Sequence, residues 1–99
     1  MGKGYVAGLI SVKDLVSYKP YMSQTAILVE EYGGRYLVRG GDIDIVEGST
    51  PHDRFVVIEF ESREIAENFY NDPRYVKVRK IRQAYSDGLI FQATGFESP

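Results

Sequence analysis

The chain alternates between short apolar runs and stretches whose apolar positions recur every three or four residues. Residues 5–10, Tyr-Val-Ala-Gly-Leu-Ile, form an apolar run bounded by Gly4 and by polar Ser11 onward, which predicts a strand. Asp14 offers a capping oxygen for a helix beginning at Leu15. Along that helix Leu15, Tyr18, Met22, Thr25, Val29 and Tyr32 make one stripe, the buried face of an amphipathic helix. Pro20 removes a donor and crowds the carbonyl of Val16, so a kink or restart is expected there. Gly33-Gly34 ends the helix, with Gly33 suited to the left-handed position after the last turn.

Residues 35–39 read as a second strand, with Gly40-Gly41-Asp42 as its turn or bulge and residues 43–47 as a further short piece of strand. Residues 48–53 have the composition of a loop. The run Arg54-Phe55-Val56-Val57-Ile58-Glu59-Phe60 is the clearest strand of all. Ser62 then caps a helix with Glu64 in its first turn and Ile65, Ala66 and Phe69 on its apolar face. Asp72-Pro73 starts another helix, aspartate as cap and proline at the first position. Its stripe is Tyr75, Val78, Arg82 and Tyr85, widened by Ile81. Asp87-Gly88 is expected to turn the chain into a last strand over residues 89–94, and Glu97-Ser98-Pro99 to fray. The order predicts an α+β fold: a ferredoxin-like βαββαβ sandwich with an antiparallel sheet, a single domain over residues 1–99.

In such a sandwich the helices cover one sheet face only, and a half-solvated strand should alternate apolar with polar. The two clearest strands do not. Phe55 and Val57 point one way, and Val56, Ile58 and Phe60 the other; Val6 and Ile10 likewise oppose Tyr5, Ala7 and Leu9. Both faces look dry. Burying one aliphatic side chain is worth roughly 1.5–3 kcal/mol, so an apolar second face favours a homodimer paired through the sheet faces.

Composition then removes most chemistries. Without cysteine there is no thiol nucleophile or thiolate metal ligand, and one histidine leaves no multi-histidine metal site in a subunit. No metal or cofactor is expected. The net charge of −2 argues against a nucleic-acid partner, and no apolar run of ~18 residues is present to span a membrane. The first residues lack a signal-peptide core, and Val6 stands where a myristoylation motif needs serine or threonine. A cytoplasmic location is therefore expected.

A few residues can still carry chemistry. His52, in a loop beside Asp53, is the natural general base, set against the plainer reading of an idle solvated histidine. Glu59, flanked by Ile58 and Phe60 on an expected central strand, is either an acid/base group whose pKa desolvation raises or a structural ion-pair member. Arg39 and Arg54, each near a strand end, could pair with it or hold an anionic substrate. Tyr18, Tyr21, Tyr36 and Tyr70 could line an aromatic pocket; a core and a dimer rim use tyrosine equally well. The paired glycines match no phosphate-loop spacing and read as turns. Arg74, Lys77, Arg79 and Lys80 read as a solvated helix surface, whereas Arg82 falls on the apolar stripe and needs a buried or interfacial partner.

The run Gly33-Gly34-Arg35-Tyr36-Leu37-Val38-Arg39-Gly40-Gly41, the strand at residues 54–60, and Phe69-Tyr70 followed by Pro73 and Tyr75 resemble the bacterial family called domain of unknown function 1330. Gly4-Tyr5-Val6 and Asp87-Gly88 extend the resemblance over nearly the whole chain. It implies the dimeric α+β barrel superfamily, in which two ferredoxin-like domains join sheets, and whose members include cofactor-free monooxygenases. No catalytic residue carries over, because the family has no agreed activity. The resulting expectation is a protein that binds or converts a small aromatic or oxygenated metabolite without cofactor. The alternative is a non-catalytic dimerisation or ligand-binding module. The enzyme reading asks for a cavity of at least ~300 Å³ between sheet and helices with His52, Arg39 or Glu59 on its wall.

Overall fold

The computed structural model describes residues 2–97 of the 99 in the chain. Seven elements follow in order: β1 (Gly4–Val12), α1 (Leu15–Glu31), β2 (Arg35–Gly40), β3 (Arg54–Phe60), α2 (Arg63–Asn71), α3 (Pro73–Tyr85) and β4 (Ser86–Thr94). The strands form one antiparallel sheet in the order β2-β3-β1-β4. This is the α+β, ferredoxin-like arrangement expected of two split βαβ halves. Inward-facing Val6, Ile58 and Phe60 meet Leu28 and Val29 of α1, Ala66 and Phe69 of α2, and Tyr75 of α3. The Phe69 ring lies 5.1 Å from that of Phe60 and 4.6 Å from that of Tyr75, so it joins all the layers at one point.

The capping residues act as the sequence predicts. Asp14, Ser62 and Asp72 each accept a backbone N–H two or three residues on, from Ser17, Ile65 and Arg74. Gly33, with φ of 68°, closes α1 in the left-handed conformation. Four local expectations fail. The helix α1 continues through Pro20 with no restart, and the carbonyl left without a donor belongs to solvent-exposed Val16, where water can replace the lost bond. On the α1 stripe, Leu15 is half exposed and Leu28 is buried in its place. Residues 43–47 form no strand: Ile45 and Val46 face solvent, and no neighbouring strand pairs with them. Asp87-Gly88 makes no turn. Ser86 is already extended, so α3 passes directly into β4, and Gly88 sits where a side chain would collide with the Leu9 carbonyl. Of the tail, Ser98 and Pro99 lie outside the described residues.

On the sheet face away from the helices, the register aligns two apolar rows. Phe91, Ala7, Val57 and Val38 stand side by side across all four strands, and Leu89, Leu9 and Phe55 form the next row. Leu89, Phe91 and Val38 are each more than a third exposed in the single chain. The expectation of two apolar faces is therefore met in the pattern, with only one of them covered.

Asp72 does more than cap. Its carboxylate pairs with the Arg74 guanidinium at 3.0 Å and accepts the Tyr32 hydroxyl at 2.8 Å, tying α1 to the start of α3. Arg74, then Tyr32, hold the carboxyl well below the usual range. A depressed folded-state pKa stabilises the fold at neutral pH, and that stabilisation is lost as pH falls below about 4, where the unfolded chain binds the proton first. Asp72→Asn should therefore lower the melting temperature at pH 7, with the deficit shrinking steadily below about pH 4. Thermal melts from pH 7 to pH 2 check this, and a constant deficit would contradict it.

Candidate functional site

The site is built by an irregularity in β2. Tyr36 pairs with Ile58, but Val38 pairs with Val57 and Arg39 with Val56, so the extra residue at Leu37 is a bulge. In a regular strand Tyr36 and Arg39, three residues apart, would point to opposite faces. The bulge sends both toward the helices, where the Arg39 guanidinium stacks 4.4 Å from the Tyr36 ring centre. Arg54 opens β3 opposite Ile10 and enters the same layer. The helix α1 supplies the other wall: Met22 accepts Arg39 Nη2 on its carbonyl and Arg54 Nη2 on its sulfur, both at 3.3 Å.

Between these walls lies a cavity of about 40 Å³, room for about three water molecules. Arg39, Arg54, Tyr18, Tyr21, Tyr36 and Tyr75 bring its polar groups, and the inward face of the sheet brings Val6, Val56, Ile58 and Ile90. The Tyr21 and Tyr75 hydroxyls lie 2.6 Å apart. Burial pushes the Tyr18 hydroxyl up to about 12 and raises those of Tyr36 and Tyr75, so all three remain protonated donors at neutral pH. Arg82 is buried behind the tyrosines, its guanidinium 5.8 Å from the Tyr21 ring centre. On its other side opens a recess of about 280 Å³ bounded by Gln83, Ser86, Asp87 and Gly88, with Ile10 shared between recess and cavity.

Of the residues singled out from sequence, Arg39, Arg54, Tyr36, Tyr18 and Tyr21 converge on this cavity. Tyr70 does not line it and instead packs against Tyr75 and Arg79. Nor does His52, whose Nδ1 lies 2.8 Å from the Ser11 hydroxyl at the far end of β1. Glu59 points to the opposite sheet face. There it accepts the Tyr5 hydroxyl at 2.9 Å and pairs with Arg35 at 3.0 Å, so its partner is neither Arg39 nor Arg54. Tyr5 first, with Arg35, holds its carboxyl below the usual range, opposite in sign to the rise that burial alone would give. The cavity also falls far short of the ~300 Å³ asked of an enzyme pocket. Tyr75 and Thr25 were visible only as members of helix stripes; a hydroxyl on an apolar stripe was the available signal. Among the described residues no group of His, Asp or Glu could hold a metal, and no helix is long and apolar enough to cross a membrane.

The fold and this interlayer cavity define a ferredoxin-like α+β domain with its polar groups gathered between sheet and helices. The chain belongs to the family described as Domain of unknown function (DUF1330), whose model matches residues 3–96. No curated protein matches it significantly. Solved structures share the fold. A protein of unknown function from Rhodopseudomonas palustris superposes with a TM-score of 0.79 at 18% identity, covering 98% of this chain and 85% of that one. SnoaB, a cofactor-independent oxygenase from Streptomyces nogalater, gives 0.71 at 10% identity, with 99% and 97% covered. A dimeric protein of unknown function with a ferredoxin-like fold from Bacteroides fragilis gives 0.62 at 13% identity, with 95% and 97% covered.

Proposed function

We propose that the chain works as a cytoplasmic homodimer, paired sheet to sheet into an α+β barrel, and that each subunit binds a small aromatic or oxygenated metabolite in its interlayer cavity without a cofactor. Pairing is supported by the two apolar rows on the outer face and by the dimeric Bacteroides fragilis relative. One observation carries the binding site: Arg39 and Arg54 reach the cavity beside the Tyr18 and Tyr36 side chains, and among the described residues neither forms an ion pair with a carboxylate. The oxygenase activity of SnoaB supports conversion of the bound molecule in place. The small cavity, without His52 or Glu59 on its wall, favours a second reading, a non-catalytic ligand-binding or dimerisation module.

A thermal-shift screen against a metabolite library tests the site. A ligand at a hundred times its Kd stabilises by about 2.7 kcal/mol, a rise of roughly 10–20 °C for a domain of this size. That rise should disappear in Arg39→Gln and Arg54→Gln and persist in His52→Ala and Glu59→Gln. A rise lost only in the last two would move the site out of the cavity. Mass spectrometry of the hit after aerobic incubation then separates conversion from binding.

A further inference from the structure

We infer that the interlayer cavity is an anion site whose ligand is a short monocarboxylate, its charged end between Arg39 and Arg54 and its hydrocarbon end against Val6, Val56, Ile58 and Ile90. The inference deepens the proposed function and rests on the cavity being a binding site.

The first argument is where the charges go. The chain has 14 carboxylate and 12 Lys and Arg side chains, a net −2, and six of the carboxylates pair with cations away from the cavity. Glu59 takes Arg35, Glu61 takes Lys3, Glu67 takes Arg63, Asp87 takes Lys13, and Glu31 and Asp72 share Arg74. Among the described residues Arg39, Arg54 and Arg82 enter no ion pair. They meet neutral partners: a carbonyl and a sulfur of Met22, the faces of Tyr36 and Tyr21, and the hydroxyls of Tyr18, beside Arg54, and Tyr75, beside Arg82. Arg39 and Arg54 therefore bring positive charge to the cavity wall with no carboxylate paired to either among the described residues.

Unmet donors give the second argument. The Nε atoms of Arg54 and Arg82 are buried without a hydrogen-bond partner, as is the Thr25 hydroxyl on the cavity wall. Of the two arginines Arg54 lines the cavity, and a partly buried cation is costly until something compensates its charge. A guanidinium fork fits a carboxylate through two parallel hydrogen bonds. Tyr18, a protonated donor at the same wall, can add a further one to that oxyanion.

Size sets the class. Three waters at ~30 Å³ each occupy about the volume of a carboxylate with four or five non-hydrogen atoms. The aliphatic sheet wall of Val6, Val56, Ile58 and Ile90 suits a short saturated tail rather than a second charged group.

Heteronuclear NMR of the labelled full-length protein tests this with acetate, propionate and butyrate against acetamide, propionamide and butyramide, the ionic strength being held constant with sodium chloride. The carboxylates should shift the backbone amides of Gly8, Thr25 and Val56 saturably, and the matching amides should bind at least tenfold more weakly. Arg54→Gln should weaken propionate at least tenfold, whereas Arg54→Lys, which keeps the charge, should retain part of the affinity. The carboxylate–amide comparison needs no variant and stands if Arg54→Gln misfolds. Amides that bind as tightly as carboxylates overturn the anion assignment while leaving the cavity a binding site. Carboxylate shifts that do not saturate, or that fall only on the exposed basic surface of α3, overturn both.

Discussion

Phe91→Asp should convert the protein from a particle of twice 11.2 kDa to one of 11.2 kDa in sedimentation equilibrium. Phe91 stands at the end of the apolar row that crosses β4, β1, β3 and β2, opposite Ala7, and is 43% exposed in the single chain. A carboxylate there points into water when the chain is alone and into an apolar interface when it is paired. Burying an unpaired charge in such a contact costs several kcal/mol, so dimer affinity should fall more than a hundredfold, about 2.8 kcal/mol. The fold should survive, because the face is uncovered within one chain. Val16→Asp, on the solvent side of α1 and 78% exposed, is the control and should leave the mass unchanged. A Phe91→Asp protein that sediments like the wild type would contradict pairing through this face.

The largest loss of stability within a chain is expected from Phe69→Ala. The ring is fully buried between Phe60 and Tyr75, with Tyr32 edge-on at 6.0 Å. Removing it deletes burial and leaves a cavity that three helices and a sheet cannot close together. Such substitutions cost about 3–5 kcal/mol, a large share of the stability of a domain this small. Leu15→Ala, although on the stripe that the periodicity predicts, should cost no more than about 0.5 kcal/mol, because Leu15 is half exposed. Urea denaturation of both variants measures the contrast, and equal costs would contradict the placement of the core.

The pair also shows what was legible before the structure. Caps are local chemistry, a side-chain oxygen meeting an N–H two or three residues on, so Asp14, Ser62 and Asp72 could be read directly. Two-sided apolar strands gave away the second apolar face. Arg82, a cation on an apolar stripe, announced a buried or interfacial position, and it is buried. The bulge at Leu37 could not be read: nothing local distinguishes Tyr36-Leu37-Val38-Arg39 from a regular strand, and only pairing with β3 fixes the slip in register. Because that slip turns Arg39 toward Tyr36, the site's geometry was hidden although its residues were not. Glu59 was legible as an ion-pair member, but its strand neighbours could not say that Arg35 and Tyr5 lie beside it. Residues 43–47 misled because apolar side chains in a loop look like strand until a partner strand is found missing.

The resemblance read from Gly33–Gly41 and the strand at 54–60 is borne out by a family match over residues 3–96. The family is described only as a domain of unknown function, so function must be argued from the cavity. The most direct test is a crystal structure of the protein with the strongest stabiliser from the metabolite screen. Ligand density bounded by Tyr18, Tyr36, Arg39 and Arg54, between the sheet and α1, is the predicted result. Density confined to the recess between Arg82 and Gly88, or between subunits, would contradict it.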